Sequence, residues 1–486
     1  MAAPRRLSAA VLSRPWLRHS WAPHHLAVDP TFAATGPLTV KRSESRFFMY
    51  EEHRSGKLED SDGNIGGATE LLQQSPAEFF GAVAAAAGNA TAETGGGGSK
   101  RYQYWTSPLA DCASELLARL PGFEQLHELL PLELSDRTAA AAAVSAEGSS
   151  SGQTRQARSE LPTDQRGPSL WVGSAGSSTQ AHYDVADNVI VQLHGSKRLR
   201  CYPPHAATCL HVFPDAHPRA RKSQVNFDAP DHGRFPLFAA LPPPALDVTL
   251  QPGDALSVPA FWFHHVENDP DGPSVSLNLF APSPACVLSP PAYVPSAISS
   301  AGYAAAHCVR VCLCVCSRFR LMAAQPIFAH RVPAVSTGTA AGGATSGVAL
   351  AMLRHMGTGL LDGLRASQPL LPAPDVFGRQ LVASRYTPLL NCGSALVTEP
   401  EAAVDATAVA EADEVLYSVL HYFEQLRSSV VAGCSDQDDA SEAHEYADAV
   451  VEIVVAHLLE LWAVQLVGAD EVGPALVSCF SARGGG

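Results

Sequence analysis

The sequence predicts a mostly β core with flanking helices, folded as a double-stranded β-helix, or jelly roll. Residues 170–280 contain many short β-branched or alternating segments, each ended by a Gly- or Pro-containing turn. This spacing of strands is typical of barrels and jelly rolls. Helical periodicity returns near the end of the chain, at Leu416, Leu420 and Phe423. We therefore expect a β core followed by a helical region.

The strands of the predicted core are separated by turns with recognisable residue types. Gly195 follows a β-branched segment, and Pro252-Gly253 precedes another; tight turns favour both residue types. The prolines at 203–204 end a third strand, because proline cannot donate a hydrogen bond to a neighbouring strand. The predicted strands are 188–193, 197–202, 247–250, 255–259 and 274–280.

A helix and two strands are predicted upstream of the core. Ser75 and Glu78 have the capping-box spacing of a helix start. Residues 101–105 are an aromatic strand candidate, and residues 46–52 are a second, short strand.

Composition shifts divide the chain into segments. An Ala-, Ser- and Gly-rich stretch cannot bury enough apolar surface to fold by itself, which predicts an unstructured insertion. The predicted segments are 1–29, an N-terminal segment that is a presequence or disordered; 30–136, the N-terminal part of the catalytic domain; 137–168, a low-complexity insertion; 169–282, the β core; 283–404, an irregular insertion; and 405–486, the C-terminal helices.

Composition also limits partners and location. A net charge of −15 argues against nucleic acid, because phosphate binding needs a concentrated basic surface. No charge-free apolar run is long enough to span a membrane. Scattered cysteines favour a reducing compartment, so we expect a cytoplasmic protein, with a nuclear location also open. Arg5, Arg6, Arg14 and Arg18 precede the first acidic residue, Asp29, and this resembles a mitochondrial presequence, which is the alternative.

Two histidine-containing segments predict a metal site. Alternate residues of a strand face the same side, so His182 and Asp184 both point into the barrel while Tyr183 faces away. A distant strand must supply the third ligand, and we choose His264, directly after an aromatic pair, over His265. Two imidazoles and one carboxylate leave positions open, as in Fe(II) oxygenases. Zinc also tolerates three protein ligands.

A pocket for a second molecule favours iron over zinc. 2-Oxoglutarate chelates a metal with one end and needs a cation for its far carboxylate. Lys197 enters the barrel on the strand after Asp184 and is the candidate cation. Hydroxyl donors to the same carboxylate are Thr179 and Tyr104, and Asn188 and Asn278 would line the metal side.

The order of these residues resembles the JmjC/cupin family of Fe(II)- and 2-oxoglutarate-dependent dioxygenases, and within it the factor-inhibiting-HIF group of asparaginyl hydroxylases. The resemblance covers residues 170–280, extends weakly to 46–52 and Tyr104, and returns at 471–476. The matching stretches are 181–188, 195–198, 202–204, 223–231, 234–236 and 252–267.

The resemblance implies roles for individual residues. The iron ligands and catalytic centre would be His182, Asp184 and His264. The residues around 2-oxoglutarate would be Lys197, Thr179, Asn188, Asn278 and Tyr104, with Tyr102 competing for the last place. The family dimerises through its last two helices, which implies a homodimer with an apolar contact at Leu476.

The chain departs from the family at the substrate-binding pair. Arg221 and Lys222 stand where the family has arginine and glutamine. Glutamine both donates and accepts hydrogen bonds, whereas lysine only donates. The departure leaves selectivity for asparagine open.

These observations predict an enzyme that uses O2 and 2-oxoglutarate to hydroxylate a protein side chain, releasing succinate and CO2. Substrates of the family include ankyrin repeats and transcription factors. One alternative is a JmjC hydroxylase or demethylase that acts on another residue or on RNA. A second is a non-catalytic, dimeric cupin that binds a partner. Binding of Fe(II) and 2-oxoglutarate separates the catalytic from the non-catalytic hypothesis.

Overall fold

The computed structural model describes residues 3–7, 20–47, 69–86, 101–108, 168–283, 342–388, 404–434, 440–467 and 472–480, except for positions 216, 218, 370 and 405. Within these ranges the chain forms two β-sheets that enclose a cavity, with helices on their outer sides. Residues 137–167 of the predicted insertion 137–168, and residues 48–52 of the predicted strand 46–52, lie outside the described residues.

The larger sheet has eight described strands in the order β1-β10-β7-β12-β5-β4-β2-β3. Every pairing in it is antiparallel. Its strands are β1 (Arg5–Arg6), β2 (Leu38–Ser43), β3 (Glu70–Gln74), β4 (Tyr102–Pro108), β5 (Ser169–Gly173), β7 (Ala186–His194), β10 (Ala255–Val258) and β12 (Ser274–Pro282). The smaller sheet has the order β6-β11-β8-β9 and consists of β6 (Ser178–His182), β8 (Lys197–Tyr202), β9 (Leu246–Leu250) and β11 (Phe263–Asn268).

The predicted jelly-roll core is confirmed, since each strand predicted between 188 and 280 forms within one or two residues of its expected bounds. Gly195 and Gly253 occupy the two predicted turns with φ of +66° and +94°. Glycine adopts this left-handed region without a Cβ penalty. At Gly195 a Cβ would also lie 2.1 Å from the carbonyl oxygen of Pro273, so another residue would have to displace the backbone there.

Three helices near the N-terminus cover the outer face of the larger sheet. They are α1 (Pro23–Leu26), α2 (Pro30–Ala33) and α3 (Pro76–Ala86). The predicted capping box is confirmed, because Glu78 accepts a hydrogen bond from the Ser75 backbone N–H at 2.8 Å and Ser75 Oγ accepts one from the Glu78 N–H at 3.3 Å. Phe32, Phe79 and Trp105 bring the helices and the sheet into one apolar cluster.

The described parts of segment 1–29 are folded, which differs from the expectation of disorder. Arg5 and Arg6 pair with Ser257 and Leu256 as an edge strand of the larger sheet. Trp21 is buried in the apolar cluster beneath α1. These contacts are long-range, so the local composition did not predict them.

Five further helices form the C-terminal layer: α4 (Gly342–Arg365), α5 (Pro374–Leu381), α6 (Ala406–Ala432), α7 (Ala440–Val467) and α8 (Val472–Phe480). A π-helical turn, Val382–Tyr386, continues α5. The layer packs on the outer face of the smaller sheet in one continuous apolar cluster. The C-terminal helices predicted for 405–486 are confirmed by α6, α7 and α8. Leu476 is fully buried in the same chain, and so is not a surface contact in this arrangement.

The prediction that 283–404 is irregular is wrong for Gly342–Arg365, Pro374–Leu381 and Val382–Tyr386. The glycines of Gly342–Arg365 lower the helix propensity of this stretch. Its glycines instead allow close helix packing, because a Cβ at Gly357 would lie 2.8 Å from Phe480 and one at Gly359 would lie 2.8 Å from Leu416. No helix in the described ranges is long and apolar enough to cross a membrane.

Candidate metal and cosubstrate site

His182, Asp184 and His264 converge at one point between the two sheets. His182 ends β6 and pairs directly with His264 on the antiparallel neighbour β11. The ring centroids of the two imidazoles are 4.2 Å apart. His264 Nε2 lies 3.7 Å from Asp184 Oδ2, and one ligand atom from each residue falls within 4.8 Å of the others. The three side chains therefore lie close enough to hold one metal ion.

A β-bulge places more of the predicted residues on the cavity side. His264 pairs with His182, but Val266 pairs with Thr179, so three steps along β6 match two along β11. The extra residue changes the alternation of the strand. Thr179 therefore lines the same cavity as His182, although strict alternation would place them on opposite faces.

Backbone carbonyls orient both imidazoles for metal binding. His182 Nδ1 lies 2.8 Å from the carbonyl oxygen of Gln180, and His264 Nδ1 lies 3.1 Å from that of Trp262. A proton on each Nδ1 leaves the Nε2 lone pair for a metal, as is usual for metal-ligating histidines. Burial and the neighbouring His264 lower the pKa of His182 well below its usual value, so the ring is neutral. Asn188 Nδ2 donates to Asp184 Oδ2 at 3.3 Å.

The donor set fits Fe(II). It combines two imidazoles with one carboxylate, all facing a cavity that has room for a further molecule, which is the donor set of the facial triad in non-haem Fe(II) oxygenases.

His265 is excluded as the third ligand by its position. It lies on the opposite side of β11, fully buried, with its ring stacked on Phe227 at 4.7 Å and 15°. Burial and the arginines around it, of which Arg200 has the largest effect, lower the pKa of His265 to about 3. The choice of His264 over His265 is therefore supported by the structure.

Lys197 lies in the same cavity as the triad, with its side chain buried. Its Nζ donates to Ser276 Oγ at 2.6 Å. Burial lowers the pKa of Lys197 to about 7, because desolvation disfavours the charged amine. Among the described residues no carboxylate lies within ion-pair distance of Nζ. The amine is thus placed to receive an anion from outside the chain.

The other predicted cosubstrate residues also line this cavity. Asn188, on β7, and Asn278, on β12, face it from the larger sheet. Of the two tyrosines that competed for one place, Tyr104 lines the cavity. Its ring lies 5.9 Å from that of Trp171. The structure therefore favours Tyr104.

The sequence analysis missed several residues of this site, among them Asn268 and Trp171, which line the cavity, and Ser276, which accepts the hydrogen bond from Lys197. Ser276 lies two residues before Asn278 on the same strand, so alternation could have found it. Asn268 pairs with Lys197 across β8 and β11, and only the strand register shows that. Apart from its position on a strand, nothing in the sequence indicates that Trp171 lines the cavity.

Comparisons with known proteins agree with this geometry. Residues 71–283 match the family model described as a cupin-like domain. This region is therefore a cupin-like domain. This domain contains the metal triad, Lys197 and both sheets, apart from β1 and β2.

The domain is similar to several curated proteins over part of their length. The human tRNA wybutosine-synthesizing protein 5 is 36% identical over 110 residues, which are 22% of this chain and 32% of that protein. The human HSPB1-associated protein 1 is 38% identical over 113 residues, 22% of each chain. The lysine-specific demethylase JMJ31 of Arabidopsis thaliana is 29% identical over 100 residues, 21% of this chain and 18% of that protein. The chain thus spans a third or less of these relatives.

The two predicted substrate-binding residues, Arg221 and Lys222, differ in their burial. Arg221 is buried, and its backbone has a φ of +69°. Its carbonyl accepts a hydrogen bond from the Tyr183 N–H at 3.3 Å. The role of Arg221 in binding substrate stays a prediction. Lys222 is only partly buried and pairs with His182 in an isolated bridge, so it stays a candidate near the metal.

Proposed function

We propose that this chain is an Fe(II)- and 2-oxoglutarate-dependent dioxygenase that hydroxylates a side chain of a protein substrate. The observation that carries the proposal is the buried Lys197 amine in the cavity of the His182–Asp184–His264 triad. A metal triad alone would also suit zinc. A buried amine in the same cavity adds a requirement for an anion, which a metal-chelating dicarboxylate meets.

Burying the charged amine of Lys197 costs free energy, because the amine loses its hydration. Its lowered pKa has desolvation as its cause, so the described chain does not compensate this charge. An ammonium ion paired with a carboxylate and hydrogen-bonded to Ser276 would recover that cost. Thr179 and Tyr104 border the same cavity and add hydroxyl donors.

The roles of the chain's own residues follow from their positions. Two histidines and Asp184 would hold the iron, which when bound supplies the oxygen chemistry that protein side chains lack. Asn188 orients the Asp184 carboxylate through its amide. Because His182 and His264 lie on paired strands, the relative positions of these two ligands are fixed before the metal binds.

The test is a succinate-release assay with Fe(II), 2-oxoglutarate and O2, comparing the wild type with Asp184→Ala. We expect succinate only from the wild type. Asp271→Ala removes an exposed carboxylate and serves as the control. Titration of the protein with Fe(II) and 2-oxoglutarate under nitrogen should give the visible charge-transfer band of the ternary complex. Failure of the wild type to bind both would instead favour a non-catalytic cupin.

The proposal for the substrate is a protein segment, with asparagine as the first residue to test. Its support is the resemblance over 170–280 and the acidic balance of the chain, −15. Ankyrin-repeat peptides incubated with the enzyme should gain one oxygen atom by mass spectrometry. Addition of oxygen to another residue would show that the enzyme hydroxylates a residue other than asparagine. Loss of a methyl group from lysine would show that it is a demethylase.

A tRNA substrate is the second candidate, because one similar protein is named a tRNA wybutosine-synthesizing protein. The net charge of −15 opposes it, since tRNA binding needs a basic surface. Parallel assays with total tRNA and with the peptides decide between the two: stimulation of succinate release by tRNA alone would overturn the protein-substrate proposal.

We further propose that the chain dimerises through its C-terminal helices. We also propose a cytoplasmic location, with the nucleus and the mitochondrion as alternatives. Light scattering tests the first, and fractionation of cells that express the full chain tests the second.

A further inference from the structure

A buried contact behind the metal site joins the ligand strands to the C-terminal helical layer. Tyr183 stands between His182 and Asp184, and its side chain points to the opposite side of the strand, where it is 1% exposed. Its ring stacks on Phe261 at 5.5 Å and meets Phe263 edge-on at 5.1 Å. Phe263 directly precedes His264 in the chain, and Phe261 lies three residues before it. One ring therefore contacts both segments that carry metal ligands.

The hydroxyl of Tyr183 is held by helix α7. Tyr183 Oη and His457 Nε2 are 2.6 Å apart, and His457 Nδ1 lies 3.1 Å from Asp215 Oδ2. A proton on Nδ1 shared with the carboxylate leaves Nε2 to accept the tyrosine proton. The contact fixes the rotation of the Tyr183 ring, and through the backbone it limits the position of the ligands on either side.

Helix α7 also holds the second ligand segment. Tyr446 Oη donates to the carbonyl oxygen of Ala260 at 2.8 Å, and the Ala260 N–H donates to Asp187 at 2.8 Å. The next residue, Phe261, has a φ of +62°, and its N–H donates to the Asp184 carbonyl at 2.8 Å. A non-glycine residue keeps this conformation only where its surroundings enforce it.

An ion-pair network immobilises the far side of the contact. Arg385, from the π-helical turn, lies 3.2 Å from Glu460 of α7, and Glu460 accepts a hydrogen bond from the Asp215 N–H at 2.7 Å. Both Arg385 and Glu460 are almost fully buried. The groups that hold His457 thus come from the loop after β8, the π-helical turn and α7.

We propose that His457 and Tyr446 are positioning residues for the metal centre, and that the C-terminal helical layer sets the geometry of the ligands through Tyr183 and Ala260. The inference rests on the proposed function only in requiring that the triad binds a metal. Neither residue lines the cavity, so each acts through another residue and not on the substrate.

The test is binding of Co(II), which stands in for Fe(II) and reports ligand geometry by its visible absorption. His457→Leu and Tyr183→Phe should each weaken Co(II) binding roughly tenfold, the lower end of what loss of an outer-shell partner causes, and should change the absorption spectrum. His457→Gln keeps a polar atom near the tyrosine and should recover most of the affinity. The double variant should bind no more weakly than the worse single variant, because both remove the same contact.

The control is Tyr422→Phe, which removes a buried hydroxyl from α6, where the ring packs on Phe423. Thermal unfolding of each metal-free variant is measured alongside. Unchanged Co(II) affinity and spectrum in Tyr183→Phe would overturn the inference, even if its melting temperature falls. Tyr183→Phe keeps the stacked ring and carries the test if His457→Leu fails to fold. Failure of the wild type to bind Co(II) would instead contradict the proposed metal site.

Discussion

His182 and His264 are direct partners on adjacent antiparallel strands, with ring centroids 4.2 Å apart. Each Nδ1 faces a carbonyl oxygen two residues before its own position, so both rings present Nε2 to the same point. Strand pairing thus brings two histidines that are far apart in the sequence together as two of the three metal ligands.

The two adjacent histidines of β11 should respond differently to substitution. His264→Gln removes a ligand, and metal affinity should fall at least roughly 100-fold, the upper range for even an outer-shell change. His265→Gln alters a ring stacked on Phe227 behind the strand, and should lower the melting temperature while metal affinity stays near that of the wild type. Isothermal titration with Mn(II) under nitrogen measures the affinities. Equal losses in both variants would contradict the assignment of His264.

Lys197→Met should selectively weaken cosubstrate binding. A hydrogen bond to a charged group contributes about 1.5–3 kcal/mol, so the dissociation constant of 2-oxoglutarate should rise roughly 10- to 100-fold. Metal affinity should stay constant, because Lys197 is not among the three ligands. Lys222→Met, which removes a partly exposed lysine on the segment that pairs with His182, is the matched control. A larger effect from Lys222 than from Lys197 would reverse their proposed roles.

Binding of 2-oxoglutarate should depend on pH through Lys197. Its pKa is lowered to about 7 in the folded, cosubstrate-free protein, so above pH 7 the amine must take up a proton to pair with a carboxylate. Affinity should therefore fall about tenfold for each pH unit above 7. Calorimetry in buffers of different ionisation enthalpy measures the proton uptake, which Lys197→Met should abolish.

The lowered pKa of Lys197 also predicts how the free energy of unfolding depends on pH. The unfolded lysine keeps its ordinary pKa of 10.5, so between about pH 7 and 10.5 the unfolded state binds more protons than the folded state. The free energy of unfolding of the cosubstrate-free protein should therefore rise with pH in this window, and less so in Lys197→Met. Urea unfolding at several pH values checks the slope; an identical slope in both proteins would mean that the amine is solvated.

The helical segment before α6 should be essential to the fold. Arg385→Met leaves the buried Glu460 without its ion-pair partner, and breaking a buried pair typically costs about 3–5 kcal/mol. Arg379→Met breaks the exposed pair with Asp375 on α5, which should cost less than about 1 kcal/mol. Urea unfolding compares the two. Similar small losses would show that this segment does not pack as described.

Much of the core and the site could be predicted because their signals are local. The capping residues Ser75 and Glu78 and the turn glycines Gly195 and Gly253 act within a few positions of the chain. His182 and Asp184 share a motif. The pocket residues missed, such as Asn268, depend on which residue of one strand pairs with which residue of another.

The sequence by itself determined the residue types of the site and the positions of the core strands along the chain, because hydrophobic alternation and turn residues act over neighbouring positions. Only the tertiary structure decided that Thr179 joins His182 through a bulge, that the glycines of α4 serve close helix packing, and that His457 contacts Tyr183. Each depends on which distant surfaces meet, and the free energy of burying those surfaces together is a property of the folded chain and not of any short segment.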